Sequence, residues 1–192
     1  MSSILGHSLI GAAIASRVDA DGRQKLALMA YFAVLSLSPD VDYLVYWIFD
    51  YEIEPRYTHS IGFCLFISMI ALAFNRLTGL YFLRNIQFVY LVMSPISHLI
   101  LDFMVGVHKS PFLWPVFNEA FTSEIGVLPS AGRLDIQNYY FWRNLLIEMG
   151  ILLPICFWFS AAKVSRRWSI ATAIALLAVM SVSGYVGFHL QR

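Results

Sequence analysis

The sequence predicts an all-α polytopic membrane helical bundle of about five or six apolar helices with one long extracytoplasmic loop. Three observations predict it. Hydrophobic residues make up 59% of the 192-residue chain. Mean hydropathy is +0.67, and the apolar residues gather into runs of helix length rather than into alternating patterns. Only 13% of residues are charged and the formal net charge is +1, which leaves no basic field for nucleic acid and no acidic tail. No repeat, low-complexity tract or shift of composition marks a boundary, so residues 1–192 read as a single domain.

The first run, roughly residues 3 to 16, carries His7 among small side chains. It is short for a bilayer core about 30 Å thick, so a tilted, re-entrant or partly inserted helix, and five spans rather than six, stays open. It lacks the basic n-region of a signal peptide and is expected to remain attached. The runs at 26 to 38 and 60 to 75 are also short. Between them lie PDVD (Pro39 to Asp42), where proline disfavours helix before it and aspartate can cap the next helix, and YTHS, where Thr58 or Ser60 can cap the third apolar run. The fourth run, 85 to 105, holds His98 and Asp102, and the fifth and sixth, 139 to 161 and 168 to 189, come after the long connection 106 to 138. That connection contains KSPFLWPVF and LPSAGR, and loops of such length are often functional. Cys64 and Cys156 lie in apolar runs without CxxC spacing and read as small core or lipid-facing residues. His189, with no carboxylate nearby in sequence, reads as interfacial.

Alternation of the segments divides the connections into two sets. Arg17, Arg23, Lys25, Arg76, Arg84, Lys163, Arg166 and Arg167 fall on one side; Arg56, Lys109, Arg133, Arg143 and Arg192 fall on the other. The richer set, in short loops, is expected to be cytoplasmic. On that topology His7, Asp40, Asp42, His59, His98, Asp102, His108 and Glu148 all lie toward the opposite, extracytoplasmic face.

His98 and Asp102 are four residues apart, which on a helix stacks imidazole and carboxylate one turn apart on one face. Ionisable groups in an apolar segment are costly enough to suggest function. Neutral imidazoles and carboxylates are the ligand set of zinc and other divalent ions in hydrolytic sites, and this chain has more of them than one tetrahedral ion uses. The surplus suggests a centre of two or even three metal ions with Asp40 or Asp102 bridging, and phosphate ester cleavage as its natural reaction. Arg56, three residues before His59, and Arg143, five before Glu148, are candidates to hold a phosphate, or else anchors at the headgroup layer.

The series His7, PDVD, THS, HLILD and SPFLWP resembles the YdjM-like, LexA-regulated membrane-bound metal-dependent hydrolases over roughly the first 115 residues. That family is in turn similar to the zinc-dependent phospholipases C. The second resemblance aligns His7, Asp40, His59, His98 with Asp102, and His108 in order, with Glu148 in the last position. Asn144 stands where the pattern has a histidine, and Met1 where it has a processed tryptophan. Two zinc ions rather than three are therefore expected.

The resemblance implies an inner-membrane, multi-pass hydrolase with an extracytoplasmic active site, cleaving a phosphoester in a membrane lipid or lipid-linked substrate. Asp40, His59, His98 and Asp102 would form the primary metal site, Asp102 bridging to His7, with His108 and Glu148 at the second. Asp40 would orient or deprotonate the attacking water, and Asp42 would be an outer supporting carboxylate in the same catalytic group. Phe112, Trp114 and Phe117 would lie in the headgroup layer. The rival readings are a transition-metal or ion transporter, which would place such groups near the midplane, and a scaffold with a structural metal. Oligomeric state is not encoded in any pattern of this sequence.

Overall fold

The computed structural model describes residues 2–51, 53–123, 126, 128–131, 135–161 and 166–190; Arg133, Lys163 and Arg192, three of the basic residues that orient the chain, lie outside them. The described residues form eight α-helices and two short 3-10 turns. No strand is present among them beyond an isolated antiparallel bridge between Ser110 and Phe121. The helices are α1 (Ile4–Ala15), α2 (Gly22–Ser36), α3 (Val41–Phe49), α4 (Ile61–Leu77), α5 (Tyr81–Arg84), α6 (Phe88–Val105), α7 (Tyr139–Ala161) and α8 (Arg166–Leu190).

Two of them, α6 and the Tyr139–Ser160 stretch of α7, are long and apolar enough to cross a membrane. The first and third apolar runs fold as shorter helices, α1 with 12 residues and α4 with 17, about 18 and 26 Å at 1.5 Å per residue, while α8, of 25 residues, has only its Leu176–Tyr185 stretch as an apolar helix segment. Two short helices, α3 and α5, lie where the sequence pattern predicts connections.

Local chemistry explains the boundaries. Ser3 caps α1 by accepting from Gly6 N–H at 2.9 Å, and Ser60 caps α4 by accepting from Phe63 N–H at 3.1 Å. Gly106, in the left-handed region at φ +68, ends α6 and has Ser123 O within 2.7 Å of where a Cβ would be.

Packing at close range fixes the relative position of the helices. A Cβ on Gly11 of α1 would stand 2.5 Å from Phe32 O of α2, so these two backbones approach as only glycine permits. Pro95 inside α6 has no N–H to give the carbonyl of Leu91. That carbonyl instead accepts from Ser68 Oγ of α4 at 3.0 Å, joining α4 to α6. Ser94 Oγ donates to Phe32 O at 2.9 Å and joins α6 to α2. The principal core, Ile14, Leu28, Phe32, Leu35, Ala71 and Leu91 among others, fills the space between α1, α2, α4 and α6. A second cluster, Leu101, Val105, Leu128, Ile147, Ile151 and Leu152, with Leu9 and Ile10 of α1 packed against it, gathers side chains of α1, α6 and α7. Cys64 and Cys156 are buried and free.

Candidate metal centre

Five of the residues singled out in the sequence meet at one end of the bundle: His7 of α1, Asp40 at the junction before α3, His59 before α4, and His98 and Asp102 of α6. The three imidazoles are fully buried and Asp102 is 9% exposed. Asp40 is the most open member, its side chain 16% exposed.

The backbone aims each group. Proline at the start of the Ser38–Asp40 3-10 turn sets the bend after α2. Asp40 then occupies the N-cap of α3 but makes no side-chain cap bond, so its carboxylate turns inward. Its Oδ1 lies 3.3 Å from His59 Nε2 and 3.5 Å from His98 Nε2. His98 Nδ1 donates to the carbonyl of Ser36 at 2.9 Å, which leaves Nε2 as the nitrogen with a free lone pair. His59 Nδ1 contacts Thr58 Oγ1 at 3.1 Å, and its Nε2 faces His98 Nε2 at 3.3 Å.

Asp102 divides its two oxygens between different imidazoles. Oδ1 is 3.4 Å from His7 Nε2; Oδ2 is 3.5 Å from His59 Nε2 and 3.6 Å from His98 Nε2. His7 lies flat on His98, ring centroids 3.7 Å apart and planes 13° apart. Neither ring nitrogen of His7 has a hydrogen-bond partner, an expensive condition for a buried imidazole. Two ligand triads fall within the span of a single ion, His7 with Asp40 and His98, and His59 with His98 and Asp102. The orphaned nitrogens of His7, with His59 Nε2 and His98 Nε2 turned toward each other and toward the two carboxylates, fit a divalent cation.

An outer layer supports the cluster. Arg56 Nε donates to Asp42 Oδ2 at 2.6 Å and Nη2 to Asp42 Oδ1 at 3.0 Å, a two-pronged pair. The same Nη2 is 3.5 Å from Asp40 Oδ1, and Asp42 Oδ2 is 3.8 Å from His59 Nδ1. Asp42 thus sits behind His59 rather than among the converging atoms. Burial alone would raise the Asp40 pKa, but contacts with His59 and His98 outweigh it and hold the carboxyl well below its usual range. Burial would likewise lower Arg56, and Asp42 more than offsets it, fixing the guanidinium charge.

The remaining candidates are placed elsewhere. Glu148 is fully buried on α7, yet it belongs to neither ligand triad. Its carboxylate accepts from Ser2 Oγ and from Ser3 N–H at 3.0 and 3.2 Å. His108 is exposed in the connection after α6, with its pKa lowered chiefly by partial burial, and it too is in neither triad. The pairing of His108 with Glu148 at a second metal ion is therefore not formed by the described side chains, because α7 presents Glu148 to backbone and hydroxyl donors of the N-terminal segment. Arg143 Nε and Nη2 donate to Asn144 Oδ1 at 3.1 and 3.0 Å, and the guanidinium stacks on Tyr140 at 5.0 Å. Asn144 Nδ2 donates to Ser130 O at 2.8 Å, so the residue expected to be a histidine pins the long connection to α7.

That connection also reaches the cluster. Ile61 N–H donates to Phe112 O at 2.8 Å and Gly62 N–H to Trp114 O at 3.0 Å. A Cβ on Gly62 would lie 2.7 Å from Trp114 O. The aromatic loop is thereby strapped to the first turn of α4, directly after His59. Sequence reasoning missed Ser2, Ser3 and the Ser36 carbonyl, and read Thr58 as a cap rather than as the partner of His59 Nδ1; of the three, only Ser3, a helix-capping residue three positions before Gly6, left a readable signal.

No curated protein and no solved structure matches the chain. The profile of the YdjM inner membrane protein family matches residues 1–190. With that match over nearly its whole length, the chain belongs to the YdjM inner membrane protein family.

Proposed function

We propose that the protein is a membrane-bound, metal-dependent hydrolase that cleaves a phosphoester bond in a phospholipid or lipid-linked substrate at the extracytoplasmic membrane surface. The observation that carries this reading is the facing pair of buried imidazole nitrogens, His59 Nε2 and His98 Nε2, 3.3 Å apart between the carboxylates of Asp40 and Asp102. Like-facing lone pairs at that distance need a shared cation or proton. The order of the His and Asp motifs, similar to that of the zinc-dependent phospholipases C, supports the reaction class.

His98 can serve one ion at a time through Nε2, since Nδ1 is committed to Ser36. We assign His59, His98 and Asp40 to one ion and His7 to a second, with Asp102 between them because its two oxygens face the two sets. The nitrogen and carboxylate donors suit Zn²⁺. Divalent ions bound there would supply Lewis acidity, lowering the pKa of water and neutralising charge on a phosphoryl group. Asp40, the most exposed member of the cluster, would orient that water and take its proton. Asp42 and Arg56 hold His59 and keep a positive charge beside Asp40, where a phosphate would arrive. Convergence at one end of the bundle, rather than at its middle, favours surface chemistry over transport.

The test is metal analysis of the purified protein joined to hydrolysis assays on phospholipid and polyprenyl-phosphate vesicles. Chelator-treated protein should lose phosphodiesterase activity and regain it with Zn²⁺. Stoichiometric metal without hydrolysis of any such substrate would leave a structural metal site and defeat the enzymatic reading.

A further inference from the structure

We infer that Glu148 is a positioning residue that latches the Ser2–Ser3 segment against α7 and, through Ser2, holds Asp102 toward His7. The inference deepens the proposed metal-site reading and rests on it for its effect on metal affinity, though not for the latch itself.

A buried carboxylate on a helix apolar enough to cross a membrane has to be stabilised by partners. Glu148 finds them in the N-terminal segment, where Ser2 Oγ–H and Ser3 N–H both point at its oxygens. A cation approaching those oxygens would meet donor hydrogens, so in this arrangement the carboxylate is engaged as a hydrogen-bond acceptor. The fit is close on its other side as well. At Gly6 a Cβ would collide with Glu148 Oε1 and lie 3.0 Å from Ser2 Oγ, so the first turn of α1 leaves just the space the carboxylate fills.

The contact continues into the metal centre. Ser2 N–H donates to Asp102 Oδ1 at 3.0 Å, the same oxygen that faces His7 Nε2 at 3.4 Å. One residue therefore contacts both buried carboxylates, with its hydroxyl on Glu148 and its amide on Asp102. The amide takes Asp102 Oδ1 from one side and fixes the rotation of the carboxylate, leaving Oδ2 directed at His59 and His98. Ser3, held by Glu148 through its N–H, uses its own Oγ to cap Gly6 N–H one residue before His7. Glu148 thus orients His7 and Asp102 together without touching either.

Full-length protein in nanodiscs carrying Glu148→Gln or Glu148→Ala separates this role from direct ligation. Three readouts are taken: zinc bound per chain at saturation, the absorption spectrum of the Co²⁺-loaded protein, and amide exchange across Leu5–His7. In Glu148→Gln, which keeps an acceptor oxygen for Ser3, zinc stoichiometry and the cobalt spectrum should match wild type and exchange should stay slow. In Glu148→Ala, exchange across Leu5–His7 should accelerate at least about tenfold, and zinc affinity should fall by roughly 10- to 100-fold with stoichiometry retained at saturation. One fewer zinc per chain in Glu148→Gln would make the carboxylate a ligand and overturn the inference. Unchanged exchange in Glu148→Ala would also overturn it. Wild-type protein that binds no metal would defeat the hydrolase reading instead, while the exchange measurement would still decide the latch.

Discussion

Asp102 and Glu148 are both buried carboxylates on the two helices long and apolar enough to span a membrane, and they solve the cost of burial differently. Asp102 faces three imidazoles, His7, His59 and His98, with one oxygen also taken by the Ser2 amide. Glu148 faces no imidazole among the described residues and is satisfied by a hydroxyl and an amide. Asp102 stands among imidazole nitrogens that can share a cation with it, whereas Glu148 has a hydroxyl and an amide as donors and joins no group of metal-ligating side chains among the described residues. Two acids that look alike in sequence are thus separated by what the N-terminal segment brings to them.

The largest effect expected is on the Asp102 side. Asp102→Ala or His98→Ala should lose metal affinity by more than about 100-fold, since loss of a supporting outer group alone costs about 10- to 100-fold. Elemental analysis after gel filtration measures it, and near-wild-type zinc in both variants would erase the distinction between the two carboxylates. Next come the outer supports: Asp42→Asn or Arg56→Met should weaken zinc binding by roughly 10- to 100-fold, because each removes half of the pair behind His59. Titration with a competing chelator reads this directly, and an unchanged Kd would leave Asp42 without a role at the site.

Paired glycine substitutions sharpen the comparison further. Gly6→Ala forces a methyl against the Glu148 and Ser2 side chains and Gly11→Ala against the α2 backbone, and each should cost about 1 to 3 kcal/mol by denaturant or thermal unfolding. Only Gly6→Ala displaces Glu148, so only it should also slow zinc uptake or weaken zinc binding; equal metal affinity in the two variants would count against the coupling through Ser2. The smallest effect belongs to Ser68→Ala, which strips the Leu91 carbonyl of its donor beside Pro95 and should cost roughly 1 kcal/mol. Thermal shift is sufficient to detect it, and a stabilised variant would contradict the role of that bond in joining α4 to α6.

Much of the helical framework was legible because apolar runs of this length leave few alternatives. The runs at 3 to 16 and 139 to 161 correspond within a residue or so to α1 and α7. Helical spacing sets His98 one turn from Asp102, and the fold brings His7, Asp40 and His59 beside them. What stayed hidden depends on backbone groups and on where a side chain turns. Asp40 reads as an N-cap in PDVD and is one by position, but its carboxylate leaves the cap for the cluster. Glu148 reads as a ligand by motif order; the amide of Ser3 that occupies it has no sequence signature, since every residue but proline carries one. The helix α3 begins inside PDVD, at Val41, and its nine residues are too short and too close to polar motifs to stand out from a connection. Ser36 was invisible for the same reason as Ser3, its contribution being a carbonyl.

The strap between the aromatic loop and α4 limits how a substrate can be held. A helix N-terminus next to a metal site is ordinarily a ready cradle for phosphate, through its unsatisfied amides and dipole. At α4 the amides of Ile61 and Gly62 are taken by Phe112 O and Trp114 O, and that of Phe63 by Ser60 Oγ. On the proposed hydrolase reading, an anionic headgroup drawn in beside His59 would find no open amide there and would have to be met by side chains, with Arg56 the cation already standing at Asp40. Selectivity for the headgroup would then be set by a guanidinium held by its carboxylate partner Asp42 rather than by a ring of peptide groups.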